Sequence, residues 1–496
     1  MKKIITYLSK IAPCSPFGER GACRGAFFLA LLLLAAVSCN NKETYPESPD
    51  LTVIYGISIV NAGEAGNQIL VGKVDEINKE ISFPDVDTLT DFSRIRFEAE
   101  LPERAHLDEE VYNFSMGPAD TRLTRTIAVL NGIRKREYSI TIKKDVPVWG
   151  ADFDREKIEI YNFSNNGGAA YSDLSAGSTR SADMDSNYVL LVSRATAPHL
   201  LRMADLAAGN ISSPIMLDLT GVADGTFAYS SGRLSHGHIY ICNLAVLGNA
   251  TPQTLKIYHY ASPTAVPELV GSFSKGVDGI PDYATNGGRF GDAMSVELDE
   301  NGNGYIFIGN NRGTVAADPY VLRLSVTNFT TIASPEQINP PTYGGWWSNY
   351  RQVDGAANEY IYTGYASVPQ LVDAAGGAIY AMASGSVPLQ GNDATVVSFN
   401  KERYLVMQSS TQGTEAATLY VYDITTGATT QEALEFFDNR ENKNALYTCP
   451  LGGAAISGVY ASNLGVAKTE NALYLMGAAP GGGFVVVRAP KAVKAE

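Results

Sequence analysis

Cysteine and histidine are scarce: five of each in 496 residues. Only Cys242 and Cys449 lie beyond residue 39. Both fall in or beside apolar stretches far apart along the chain, which points to buried free thiols and away from a disulfide framework or a cysteine-based zinc site. Positive charge is also short, with 38 Lys and Arg against 52 Asp and Glu and a formal charge of −14. A nucleic-acid partner is thereby excluded, because counterion release needs a basic face; neutral ligands remain compatible. No sustained 3.6-residue apolar period occurs beyond the N-terminus, and no G-x-S-x-G, H-E-x-x-H or phosphate-cradling motif is present. Nothing in the sequence implies a cofactor or a bound metal.

What the chain has in quantity is glycine, 47 residues, and tyrosine, 27 residues, the composition of many short strands and turns. Six dense apolar strands recur: Tyr188 to Val192, His238 to Cys242, Tyr305 to Gly309, Tyr360 to Thr363, Tyr404 to Met407 and Leu473 to Met476. Their spacing of roughly 45 to 70 residues suits propeller blades with loops of variable length. In the best-marked repeat, Ala293 to Asp299 reads as the innermost strand, Glu300 to Gly304 as a tight turn, and Tyr320 to Val326 as the third strand. Further third strands are expected at Leu200 to Leu206, Leu255 to Tyr260, Ala378 to Met382, Leu419 to Ile424 and Phe484 to Arg488. The fold class is therefore all-β, with a β-propeller over residues 150–496. Six repeats imply six blades, five or seven also being compatible. Lys157 to Phe163 is expected to close the ring by joining the last blade.

Residues 1–38 read as an export signal: Lys2, Lys3, Arg20 and Arg24 precede an apolar run from Ala26 to Val37. At about twelve residues this run is too short to span a bilayer core. Leu34-Ala35-Ala36-Val37-Ser38-Cys39 resembles a bacterial lipobox, with Ala36 where Leu is commonest. The resemblance implies a mature chain that starts at lipidated Cys39, held at a membrane surface by acyl chains worth about 0.8 kcal/mol per buried methylene. Asn40 at the next position fits outer-membrane sorting, so an outer-membrane or cell-surface location is expected. Residues 39–50 are polar with two prolines and read as a tether. Residues 51–144 carry six or seven short strands, from Ile54 to Val60 through Glu137 to Ile142, which is sandwich-sized.

The Ile-rich first strand, the segment Val74 to Pro84 and the closing Arg136 to Ile142 resemble the immunoglobulin-like domains of bacterial surface lipoproteins. With the lipobox and the repeats, the whole chain resembles the two-domain Bacteroidetes lipoproteins in which an immunoglobulin-like β-sandwich precedes a propeller-like domain of unknown function. That resemblance implies a spacer domain and supplies no catalytic residues. Signatures of tryptophan-aspartate, kelch or sialidase Asp-box repeats are missing from the sequence.

The segment Tyr343 to Arg351 contains two of the three tryptophans, Trp346 and Trp347, in a connection leading into an innermost strand. In a propeller such connections share a face with the loops between second and third strands. Tyr343, Trp346, Trp347, Tyr350 and Arg351 are thus expected beside Arg289, Asp292, Asn310 and Arg312. Aromatic rings stack on sugar faces while Arg, Asp and Asn bind hydroxyls; the alternative is that the tryptophans pack between blades. Non-catalytic binding of a glycan or another extracellular ligand is the leading expectation. A glycoside hydrolase or polysaccharide lyase drawing on Asp292, Glu297 or Asp354 is a second, and a structural or adhesive envelope protein a third. Asp299 to Gly304 matches half of a calcium loop but has Asn310 where the bidentate Glu is needed, so a hairpin turn is expected. His236 belongs to a turn beside His238, and His199 and His259 have no local acid or nucleophile partners in the sequence.

Overall fold

The structure, a computed structural model, describes residues 51–494 apart from 118–119, 281–287, 312–320, 343, 345–346, 366, 389–390, 411–415 and 454–460. The proposed signal segment, lipidated Cys39 and tether lie outside the described residues. The chain divides into two compact units, meeting between Pro147 and Val148.

The first unit is built from two sheets. One has three strands, Gly56–Ala62 flanked by Gln68–Val71 and Phe97–Glu100. The other centres on the long hairpin Arg122–Asn131 and Arg134–Asp145, with Glu80–Ser82 and Val86–Asp87 pairing in parallel along the second arm. Along that arm Tyr138, Ile140 and Ile142 are buried and the residues between them are not, the two-residue period of a strand with one covered face. These three join Ile57, Ile59 and Phe114 in one core fed by both sheets.

Among the described residues the second unit has six successive antiparallel sheets, each with a first, second, third and fourth strand. The second strands are Tyr188–Ser193, His238–Val246, Gly304–Gly309, Tyr360–Gly364, Glu402–Ser409 and Ala472–Ala479, on the six apolar stretches read from sequence. They are buried almost throughout because neighbouring sheets cover both faces, so an apolar run replaces alternation. The first strands are Thr179–Met184, Phe227–Ser235, Met294–Leu298, Asn349–Gln352, Gly391–Phe399 and Asn463–Lys468. Each touches the first strand of the next sheet, and the sixth touches the first, so the unit is a closed β-propeller. Glu159–Ser164 completes the sixth sheet by pairing along Gly483–Pro490, from Glu159 opposite Arg488 to Ser164 opposite Gly483. An N-terminal strand thereby hydrogen-bonds the last sheet as its outermost strand and ties the two ends of the ring together.

Three assignments differ from the sequence reading. The third strand expected at Leu200 to Leu206 is His199–Arg202, and Met203–Ala207 after it is a short helix that buries Met203 and Leu206. Ala378–Ala381 is the fourth strand of its sheet, and the third is Ser367–Val372, whose internal Pro369 and Gln370 mask its strand character. Between the third and fourth strands of the fifth sheet lies a helix, Thr430–Asn439. Its start is a capping box, with the Thr429 hydroxyl accepting from the Glu432 amide and the Glu432 carboxylate from the Thr429 amide. Ala433, Leu434 and Phe437 bury one stripe of it. No helix among the described residues is long and apolar enough to cross a membrane. Cys242 and Cys449 are buried free thiols.

Candidate functional site

The six innermost strands enclose the ring axis, and they begin at one end of it, here the entry end, and finish at the other, the exit end. At the entry end, backbone irregularity positions the functional side chains. In the first strand of the first sheet Thr179 pairs with Ser193 and Ser181 with Val192, leaving Arg180 as an extra, bulged residue. A bulge swings its side chain out of the alternating pattern, and the Arg180 guanidinium lies 5.5 Å from the Trp347 ring centre. Arg194 follows the second strand of the same sheet and is held by its amide donating to Ser178 O at 3.0 Å. Its guanidinium sits 4.3 Å over the ring of Phe227, which is 40% exposed.

Asp292 is fully buried and is the anchor of this cluster. Arg194 Nη2 donates to its Oδ1 at 2.9 Å and to Ser230 Oγ at 2.6 Å. Arg289 donates through Nε and, at 3.1 Å, through Nη2. Asn311 Nδ2 donates to Asp292 Oδ2 at 2.7 Å while its Oδ1 accepts from the Trp347 amide at 3.0 Å. Burial pushes the Asp292 carboxyl up, but Arg289, Arg194 and Asn311 outweigh it and hold the group below the usual carboxylate range. Burial and then Arg194 and Arg289 pull Arg180 down to about 10, against the opposing Asp292. Gly291 makes the approach possible: at φ +96 it carries the chain against the second sheet, where a Cβ would stand 1.9 Å from Asn243 O.

Halfway along the axis a second charge network ties all six innermost strands together. Arg233 donates to Met294 O at 2.8 Å, Ala182 O at 3.1 Å, Asn349 Oδ1 at 3.0 Å and Asp393 Oδ2 at 2.9 Å. The same Asp393 oxygen accepts from the Leu464 amide at 3.0 Å and from Arg351 Nη1 at 3.5 Å. Arg351 Nε in turn pairs with Glu297 Oε1 at 3.2 Å. Toward the exit end these groups open into cavities of about 570 Å³, shared with Asp183, Asp185, His236 and Lys468, and about 490 Å³, shared with Asp354. Burial raises Glu297 to about 7, against Arg351 and Arg233.

Arg289, Asp292 and Asn310 do come together, Asn310 Oδ1 accepting the Arg289 amide at 3.0 Å. Tyr343, Trp346 and Arg312 lie outside the described residues. Trp347 is only 7% exposed, packs on Ala293 and Ala461, and has φ 55. Tyr350 and Arg351 do not belong to the entry-end site. The strand period separates them: Asn349 and Arg351 face the axis, while Tyr350 points between sheets, stacks 4.4 Å from Phe307 and donates to Asp373 O at 2.8 Å. Glu297 and Asp354, the other acids considered, line the exit-end cavity, remote from Asp292. The Asp299 side chain accepts from the Asn301 and Asn303 amides at 2.9 and 2.8 Å, a hairpin turn as composed. His199 Nε2 lies 2.9 Å from Tyr171 OH, which precedes the turn Ser172–Leu174, and His259 Nε2 lies 2.7 Å from His238 Nδ1 on the neighbouring strand.

Sequence reasoning missed Arg180, Arg194, Phe227 and Asn311. With the second strands aligned, Arg180 and Arg194 of the first repeat fall at the positions of Asp292 and Asn311 in the third, so superposing the repeats is the signal that finds them.

The family described as "Domain of unknown function (DUF4623)" matches residues 42–492. The chain belongs to that family. A crystal structure of a DUF4623 family protein from Bacteroides eggerthii DSM 20697 is 35% identical, with 89% of this chain and 99% of that chain covered and a TM-score of 0.69. The GH43_1 enzyme from Xanthomonas citri, complexed with xylotriose, is 14% identical over 57% of this chain and 91% of its own, with a TM-score of 0.30. A subtype N10 neuraminidase-like protein of A/little yellow-shouldered bat/Guatemala is 10% identical over 70% and 98%, with a TM-score of 0.36. No curated protein matches the chain.

Proposed function

We propose that this DUF4623 protein is a lipid-anchored protein of the outer membrane or cell surface that binds a saccharide without cleaving it, at the entry end of its propeller. The first unit, immunoglobulin-like in its strand pattern, serves as the spacer between anchor and propeller. The observation that carries the binding role is the Asp292 cluster. The donors Arg194, Arg289 and Asn311 are fixed in place by one buried carboxylate beside the exposed ring of Phe227, the combination that recognises hydroxyls and a sugar face. The binding role is also supported by how the carboxylate is used: both Asp292 oxygens are taken up by Arg194, Arg289 and Asn311, which makes it an anchor for donors. The anchor is supported by the lipobox-like Leu34 to Cys39.

A glycan array probed with the full chain in detergent tests this. Binding to at least one polysaccharide, weakened ten-fold or more by Phe227→Ala, is expected; no binding to any plant, host or microbial glycan overturns the proposal.

One observation favours a second reading, hydrolysis or lyase chemistry at the exit end. Glu297 is raised to about 7 and shares a cavity with Asp354, which is ion-paired to Lys468 at 2.5 Å, so the two acids differ in environment as an acid and base pair do. Release of reducing ends from a polysaccharide panel, abolished by Glu297→Gln, distinguishes this reading from the first.

A further inference from the structure

The entry-end cluster is electrostatically unbalanced. Three guanidiniums, Arg180, Arg194 and Arg289, act on one another around the single carboxylate of Asp292, an excess of two positive charges among the described residues. This excess stands in a protein whose overall formal charge is −14. Bringing like charges together on buried and half-buried side chains is costly unless something offsets it, and Asp292 offsets only part.

Hydrogen bonding shows the same imbalance. The Nε atoms of Arg180 and Arg194 are buried and have no hydrogen-bond partner, and the Arg194 side chain is only 6% exposed. Arg180 is not drawn in by an acid of its own; a bulge puts it there, over Trp347. A structural ion pair would place one arginine per carboxylate. Here the geometry retains guanidinium forks beyond what the one carboxylate uses, and a fork is the side chain that matches a planar or tetrahedral oxyanion with paired donors.

We infer that the saccharide bound at the entry end carries an oxyacid group, a carboxylate or a sulfate ester, and that Arg180, Arg194 and Arg289 form its seat with the sugar ring against Phe227. The inference rests on the proposal that this end binds a saccharide and narrows the ligand to an acidic one.

The test compares charged and uncharged versions of one polymer with the full chain in detergent, by titration calorimetry. One arm uses polygalacturonate and its methyl ester, and the other a sulfated galactan and its unsulfated counterpart. The expected result is binding to the charged member of one pair, at least ten-fold weaker for the uncharged member, weaker again at high salt, and lost to a similar degree in Arg180→Gln while Arg180→Lys keeps part of it. The arm that discriminates identifies the group as carboxylate or sulfate, and because the comparison is made on the polymer, a poorly folding variant does not remove it. Equal binding to charged and uncharged members, unaffected by Arg180→Gln and lost in Phe227→Ala, overturns the acidic inference and leaves the saccharide proposal standing. Sodium sulfate or acetate raising the melting midpoint of the wild type but not of Arg180→Gln, with no polymer bound, supports the anion seat and overturns the saccharide. Neither anion nor polymer binding overturns both.

Discussion

Arg233 of the second sheet and Asp393 of the fifth meet across the propeller axis, Nη2 to Oδ2 at 2.9 Å. In a ring of six sheets these two strands face one another, so the bond reaches across the axis. Neither side chain is more than 3% exposed, and the network around them reaches all six innermost strands. The entry-end cluster and the exit-end cavities are consequently two separate chemical environments.

Breaking that bridge from one side leaves a buried charge. Arg233→Met is expected to cost about 3 to 5 kcal/mol, as removal of one partner of a buried pair does. Urea unfolding of the variant measures it. A loss below about 1 kcal/mol contradicts the view that the bridge holds the ring.

Glu297 gives stability a pH dependence of unusual sign. Its folded value of about 7 lies above the ordinary 4.5, so over that interval the native state holds a proton that the unfolded chain has released. The contribution is complete below about pH 4.5 and is lost as pH rises through 7. It amounts to something on the order of 3 kcal/mol. Unfolding curves at pH 5 and 8 are expected to show this fall in the wild type and a flatter profile in Glu297→Gln; parallel profiles count against it.

Gly291→Ala tests the geometry that presents Asp292. With φ +96 and Asn243 O in the space a methyl needs, the loop has to shift. Destabilisation of about 1 to 3 kcal/mol is expected, together with loss of entry-end ligand binding by calorimetry. Unchanged binding implies that Asp292 is not the anchor.

Cys242 is expected to be chemically silent. Burial pushes its thiol up to about 12, and its Sγ lies inside the packed second sheet against Gly291 O. A thiol reagent at pH 8 reacts with it only as fast as the chain unfolds; rapid labelling of the native protein at this residue shows that the entry-end packing opens.

Tyr350, expected from sequence to touch ligand, is instead a packing residue. Tyr350→Phe removes only the bond to Asp373 O and is expected to cost about 1 kcal/mol with ligand binding intact. A ten-fold change in affinity, read by calorimetry, returns it to the site.

Much of the fold is legible because propeller strands carry strong local signals. Tyr188 to Val192 and its five counterparts are apolar runs because neighbouring sheets cover both faces, and the closing strand announces itself as an alternating segment without a partner nearby. Ser367–Val372 hid behind Pro369, and the helix at Thr430 was signalled by its Thr429 and Glu432 cap but not by a run long enough to outweigh the surrounding strands. For the site, Arg289, Asp292 and Asn310 are legible from loop position; proximity in sequence conceals that Tyr350 faces between sheets, opposite to its neighbours, and that Arg351, though it faces the axis, reaches Glu297 and Asp393 further along it.

The amino-acid order alone determined that the chain is all-β, that its second part repeats, and which segment closes the ring, since these follow from local apolar patterning and turn chemistry. Only the tertiary structure decided that a net-negative chain gathers three arginines around one carboxylate. Charge sums over a sequence, but a site is made by which strand ends converge: Arg180 and Arg194 come from two strands of the first sheet, and Arg289 from a strand that pairs with the second.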